Sequence, residues 1–141
     1  MLRAVLLVIH AFLGVSAVAA GLALVRRPNG SSLGLEREWL EGSPLADYRV
    51  PGMFLATVIS GANLASAAAQ LRGSIRAPGM SLATGLLLVA WVTVQTAIIK
   101  VRHWSQYGWV ALFGFVAVAS AAQVWLAERK AQEGLEQEEA W

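Results

Sequence analysis

WVTVQTAIIKVRHWSQYGW, residues 91–109, is an apolar run that meets Lys100, Arg102 and His103 and turns apolar again within a few positions. Basic side chains reach toward lipid headgroups, and Trp and Tyr place amphipathic rings at a membrane–water interface. The stretch therefore reads as the place where one membrane helix ends and the next begins. On that reading Lys100, Arg102, His103, Trp104, Tyr107 and Trp109 are interfacial anchors. The competing reading is a basic site for an anionic lipid or substrate.

On either side of this elbow, the segments 4–25, 52–71, 80–99 and 107–127 contain no Asp, Glu, Lys or Arg. Each is 20 to 22 residues long, and at ~1.5 Å per residue a helix of that length crosses a hydrocarbon layer of about 30 Å. A soluble amphipathic helix would carry one apolar stripe, whereas these are apolar all round. They lack the period-two alternation of barrel strands, and in lipid only helices or closed barrels satisfy their own backbone. The chain is 57% hydrophobic and 14% charged, against about 25% charged in soluble domains. The expected fold is all-α, an antiparallel bundle of four transmembrane helices over residues 1–127, followed by an acidic tail at 128–141.

The N-terminus, MLRAVLLVIHAFLGVSAVAAG, also has the basic start and small-residue triplet of a signal peptide. The apolar run continues to Val25, so it reads as a retained first helix. There is no cysteine, which excludes disulfide exchange and thiolate metal sites. With the N-terminus inside, Arg3, Arg72, Arg76, Arg129 and Lys130 are cytoplasmic, and Arg26, Arg27, Arg37, Arg49, Lys100 and Arg102 lie opposite. The positive-inside rule does not decide between five and six. Placing both termini in the cytoplasm leaves the long loop outside and the acidic tail inside.

That loop, residues 26–50, opens with a Pro-Asn-Gly turn. Ser31 or Ser32 is a candidate cap for a short helix over 33–41 ended by Gly42, with Leu35 and Trp39 turned down onto the membrane. Pro51 suits the first turn of the second helix.

These residues carry a resemblance. Pro28-x-Gly30-x-x-Leu33-Gly34, Ser43-Pro44-Leu45-x-Asp47-Tyr48-x-x-Pro51-Gly52, Gly61, Trp91, Gln95 and Trp104-x-Gln106 together resemble a family of small bacterial four-helix membrane proteins. The chain departs from that pattern with Asn29 in the first turn and Leu45 where an aromatic is common. No activity is attached to the family, so the resemblance implies architecture and no chemistry, in a multi-pass protein of the bacterial inner membrane. A more distant likeness to DoxX-type proteins rests on layout alone.

Within the second helix Gly61, Ala65 and Ala69 recur at spacing four, the pattern that lets helices approach closely in lipid. Gly14 and Gly21 mark a similar face on the first helix, beside His10. Ser60, Asn63, Ala67 and Gln70 share an adjoining face, as do Trp91 with Gln95 and Ser120 with Gln123. Amides buried among helices need partners, so Gln95 is expected to bond to Asn63 or Ser60. The functional alternative makes Asn63, Gln95 and His10 the lining of a polar ligand site or hydrated path. A pump would show a membrane carboxylate, and none exists. The two histidines, His10 and His103, are poorly placed as a haem pair. No catalytic constellation, metal cluster or phosphate loop is visible, and no cofactor is expected. ASAAAQ at 65–70 and ASAAQ at 119–123 echo each other through alanine-rich composition, since their flanks do not align.

Two functions follow. One is a non-catalytic subunit or scaffold whose partners are membrane lipids and other membrane proteins or further copies of itself. The other is a small transporter, channel or lipophile-binding protein. The tail, with Glu128, Glu133, Glu136, Glu138 and Glu139, is able to extend the fourth helix beyond the bilayer until Gly134 weakens it; it reads as solvated and mobile, with docking of a basic partner as the alternative. The net charge of +2 gives no reason to expect nucleic acid.

Overall fold

A computed structural model describes residues 1–99 and 104–141. The chain is an all-helical bundle, with no strand among the described residues. Helix α1 spans Leu2–Arg26, α2 Arg49–Phe54, α3 Ser60–Arg72, α4 Ala77–Ile98 and α5 Trp104–Glu139. A π-helical turn, Leu55–Ile59, joins α2 to α3 without a break. The result is four helical segments long and apolar enough to cross a membrane, of 25, 24, 22 and 34 residues.

Helix α1 ends at Arg27, which leaves helical geometry at φ −129°, because Pro28 next in the chain disfavours the α region before it. The connection to α2 is not the single surface helix expected over 33–41. Gly34 takes φ 67°, a left-handed conformation that interrupts a helix, and two 3-10 turns form instead at Ser31–Leu33 and Arg37–Leu40. Neither is capped by a serine side chain. Leu40, and not Trp39, is the side chain fully taken inside. Trp39 and Leu35 are partly buried against Leu24, Leu40, Tyr48 and Ile99. Tyr48 fixes the loop: its amide donates to Pro28 O at 2.9 Å and its hydroxyl to Glu36 O at 2.7 Å. Gly30, at φ 81°, lies under the Tyr48 ring, where a Cβ would come within 2.9 Å.

The π turn holds one residue more per turn and turns the downstream face. Thr57 Oγ1 donates to Met53 O at 2.7 Å and Ser60 Oγ to Ala56 O at 2.6 Å, satisfying carbonyls that the wider turn would leave open. From there Ser60, Asn63, Ser66, Ala67, Ala69 and Gln70 point inward. The close-packing row expected at Gly61, Ala65 and Ala69 is not the one used. Nothing stands within 4 Å of a Cβ on Gly61, and Ala65 is exposed while Ala69 is buried. The polar face needs internal partners, whereas Gly and Ala facing outward leave nothing unsatisfied.

The close approach to α1 is made at other positions of the segment. A Cβ on Gly21 would come within 2.5 Å of Ala56 N and Gly52 O, and one on Gly14 within 2.7 Å of Leu64. On the other side of the bundle Gly85 of α4 meets the Ala117 backbone of α5. Helix α3 closes at Gly73, and Pro78 sits in the first turn of α4, where its missing N–H costs nothing.

The acidic tail continues the last helix, and Gly134 does not end it. Helix α5 runs 36 residues, through Gly134 to Glu139. One Gly costs about 1 kcal/mol against Ala, and here the good helix formers Ala, Gln, Glu, Arg and Lys around it outweigh that. At the start of the extension the Arg129 guanidinium lies 5.0 Å from the centre of the Trp125 ring, a cation–π distance.

Candidate functional site

Two features occupy the bundle: a polar network at the end holding the chain termini, and an apolar cavity beneath the 26–50 loop. His10, Asn63, Ser66, Gln70, Ser81 and Ser120 are all fully buried.

His10 Nδ1 is 2.9 Å from Asn63 Oδ1, and His10 Nε2 is 3.1 Å from Ser81 Oγ. Asn63 Nδ2 donates to Ile59 O at 2.9 Å, and a carbonyl only accepts, so Oδ1 must face His10. His10 then donates from Nδ1 and accepts the Ser81 hydroxyl proton at Nε2. Gln70 Nε2 donates to Ser81 Oγ at 2.8 Å and to Gln123 Oε1 at 2.7 Å, and Gln123 Nε2 returns a bond to Gln70 Oε1 at 2.9 Å. With Gln70 supplying the donor to Ser81, the serine proton is left for His10. Neutral imidazole with its proton on Nδ1 satisfies every atom in this chain.

A branch pairs Ser66 with Thr84 at 2.8 Å, while Arg3 donates from Nε to Gln70 O and from Nη2 to Leu71 O at 2.9 Å. Those carbonyls belong to the last turn of α3, where a cation is favoured by the helix dipole. Ser120 Oγ is the one buried side-chain polar atom without a partner among the described residues. All four segments are thus tied together by side-chain hydrogen bonds.

The cavity, about 530 Å³, lies at the other end of the bundle. Leu13, Ala17 and Leu24 come from α1, Leu55 and Ile59 from the π turn, Leu88, Trp91 and Gln95 from α4, and Gln106, Trp109 and Phe113 from α5. Leu35, Trp39, Leu40 and Tyr48 close it from the loop. Trp91 stacks on Phe54 with ring centroids 4.8 Å apart, which fixes that wall. Burial pushes the Tyr48 phenol above its usual range, with the Glu36 and Glu38 carboxylates adding to the effect. It therefore remains a hydroxyl donor at neutral pH. The volume falls in the range of sites for drug-sized molecules, which are mostly apolar with a few polar groups.

The three residues expected to line one polar site are divided. His10 and Asn63 bond to each other inside the network, and Gln95 lines the cavity, partly exposed. The expected bond from Gln95 to Asn63 or Ser60 is absent: Asn63 is taken by His10 and Ile59, and Ser60 by Ala56 and Thr57. Of the expected anchors, Lys100, Arg102 and His103 lie outside the described residues. Trp104 opens α5, Tyr107 and Trp109 are exposed, and Trp39 belongs to the cavity wall.

Ser66, Ser81 and Thr84 are network residues that sequence reasoning misses. Their signal is present as Ser66 with Gln70 and Ser81 with Thr84 and Gly85, polar positions one turn apart beside a small residue. No family model, curated protein or solved structure matches the chain.

Proposed function

We propose that this is a multi-pass membrane protein whose four helices cross the bilayer as an antiparallel bundle and hold one lipophilic molecule in the cavity under the 26–50 loop. The observation that supports the reading is the cavity itself, a mostly apolar space of about 530 Å³ walled by every helical segment and covered by a folded loop. Gln95 supplies a polar contact at a depth where lipid tails offer none. The polar network acts as the rigid base that keeps the helices apart at that end. Among the described residues no catalytic arrangement accompanies the cavity, so the reading is binding or transfer of a lipophile and not conversion.

Photolabelling in lipid nanodiscs with a diazirine-bearing alkyl amphiphile tests it. Label should concentrate on cavity residues such as Leu13, Ala17 and Leu88. Label confined to outward-facing side chains such as Val8, Val15 and Val118 would contradict the reading.

A second reading, the non-catalytic subunit or scaffold, is favoured by one observation. Gly61 and Ala65 form a small-residue row facing outward from the bundle, the kind of surface on which another membrane helix packs closely. Co-purification of a stoichiometric membrane protein partner, lost in Gly61→Leu, would support it.

A further inference from the structure

The outer face of the 26–50 loop carries a second concavity, independent of the apolar cavity. A cleft of about 320 Å³ is lined by Arg27, Pro28, Asn29, Arg37, Asp47 and Arg49. The bond from Tyr48 N to Pro28 O at 2.9 Å clamps the exit of α1 against the entry of α2 and so brings residues 27–29 beside 47–49. Arg37 Nε donates to Ala46 O at 3.2 Å, which holds that side chain across the loop. Asp47 Oδ1 is occupied by the Arg49 amide at 2.9 Å. Three arginines and one aspartate line the cleft, a net charge of +2, and none of the three arginines enters an ion pair among the described residues.

Like charges gathered in one cleft focus a positive potential there and concentrate anions from solution. Guanidinium is always charged and presents a planar fork of donors that matches phosphate oxygens. Three such forks suit a tetrahedral group with two negative charges better than a carboxylate, which one fork saturates. The cleft also opens at the N-terminus of the continuous helical segment Arg49–Arg72, whose positive dipole end favours an anion. Asn29 Oδ1 accepts from Ser31 N at 3.1 Å, which leaves its amide N–H groups as further donors.

We propose that the Arg27–Arg37–Arg49 cleft binds a dianionic phosphate group, either free or carried as the headgroup of a phosphomonoester lipid. The test uses the full chain in phosphatidylcholine nanodiscs at constant ionic strength. In one arm inorganic phosphate is titrated against chloride; in the other the discs carry increasing phosphatidic acid against phosphatidylglycerol. Saturable thermal stabilisation in the first arm identifies a small-anion site, and stabilisation in the second alone identifies a headgroup site. In whichever arm responds, Arg27→Gln should weaken binding about tenfold or more, the size of one lost charge-assisted bond. Arg27→Lys, which keeps the charge without the fork, should fall between, and Arg72→Gln, outside the cleft, should change nothing. The Arg27 side chain is exposed and donates no internal bond among the described residues, so both variants fold. Absence of saturable stabilisation in both arms, or an equal loss in Arg72→Gln, would overturn the proposal.

Discussion

His10 Nδ1 and Asn63 Oδ1, 53 positions apart in the chain, stand 2.9 Å from each other at complete burial. Because Asn63 also donates to the Ile59 carbonyl, this contact selects the imidazole tautomer and aligns α1 against the segment downstream of the π turn. Asn63→Leu removes the acceptor and leaves a buried N–H unsatisfied, at a cost of about 1 to 3 kcal/mol. Ser81→Ala removes the hydroxyl that accepts from Gln70 Nε2 and donates to His10 Nε2, leaving two buried groups unsatisfied, and should cost at least as much. Denaturation of both single variants and the double in detergent checks this, with a coupling energy of about 0.6 to 2 kcal/mol expected. Additive effects would show that His10 does not link them.

Gly21 and Gly61 should respond oppositely to the same substitution. Gly21→Leu drives a side chain into the Gly52 and Ala56 backbone, and overpacking of this kind costs about 1 to 3 kcal/mol or more. Gly61→Leu meets open space and should change stability by no more than about 0.5 kcal/mol. Thermal melts of the two variants settle which small-residue row carries the crossing. Equal destabilisation would place Gly61 back inside the bundle.

Four apolar segments are legible in the sequence because a charge-free run of 20 residues or more matches the thickness of a bilayer and is rare in a soluble core. Which face of each turns inward is not legible. Gly61, Ala65 and Ala69 offer one row and Ser60, Asn63 and Gln70 another, only one turn position apart, and the π turn that decides between them has no sequence signature. Asn63 reads as a buried amide needing a partner, but the partner depends on which helices are neighbours. Gln95 looks equivalent by composition, yet it sits on the cavity side of α4. The two 3-10 turns are hidden by Gly34, which resembles any loop glycine until its φ is known. The extension to Glu139 sets Gly134 and the tail's charges against local helix propensity, and propensity prevails.

Tyr48 should make the loop sensitive to alkali. Its phenol is raised in the folded chain above the ordinary value of 10.0, so the folded state holds the proton more tightly. The resulting stability is fully present below pH ~10 and is lost as pH rises through the folded value. Melting temperature followed upward from about pH 9, below the ordinary phenol value, should fall more steeply for the native chain than for Tyr48→Phe. That variant should itself cost about 0.5 to 1.5 kcal/mol at neutral pH, from the lost bond to Glu36 O. Parallel curves would mean that another group titrates.

Under the proposed four crossings, both ends of the chain lie on one side of the bilayer and residues 26–50 on the other. The chain lacks cysteine, so single cysteines at Ser32 and Ala140 report without background. An impermeant thiol reagent on intact cells should label position 32 and spare position 140. The reverse pattern would invert the orientation, and labelling of both at once would contradict a single insertion.

The cavity is tested most directly by native mass spectrometry of the purified chain and of Ala17→Phe and Ala20→Phe, which place a ring in the space lined by both alanines. The native chain should carry one retained lipophilic molecule, and the variants should keep a cooperative melting transition, at a temperature lowered by the loss of the ligand, and release it. Absence of any retained species in the native chain, or identical retention in variants that fold, would contradict a lipophile-binding role for this cavity.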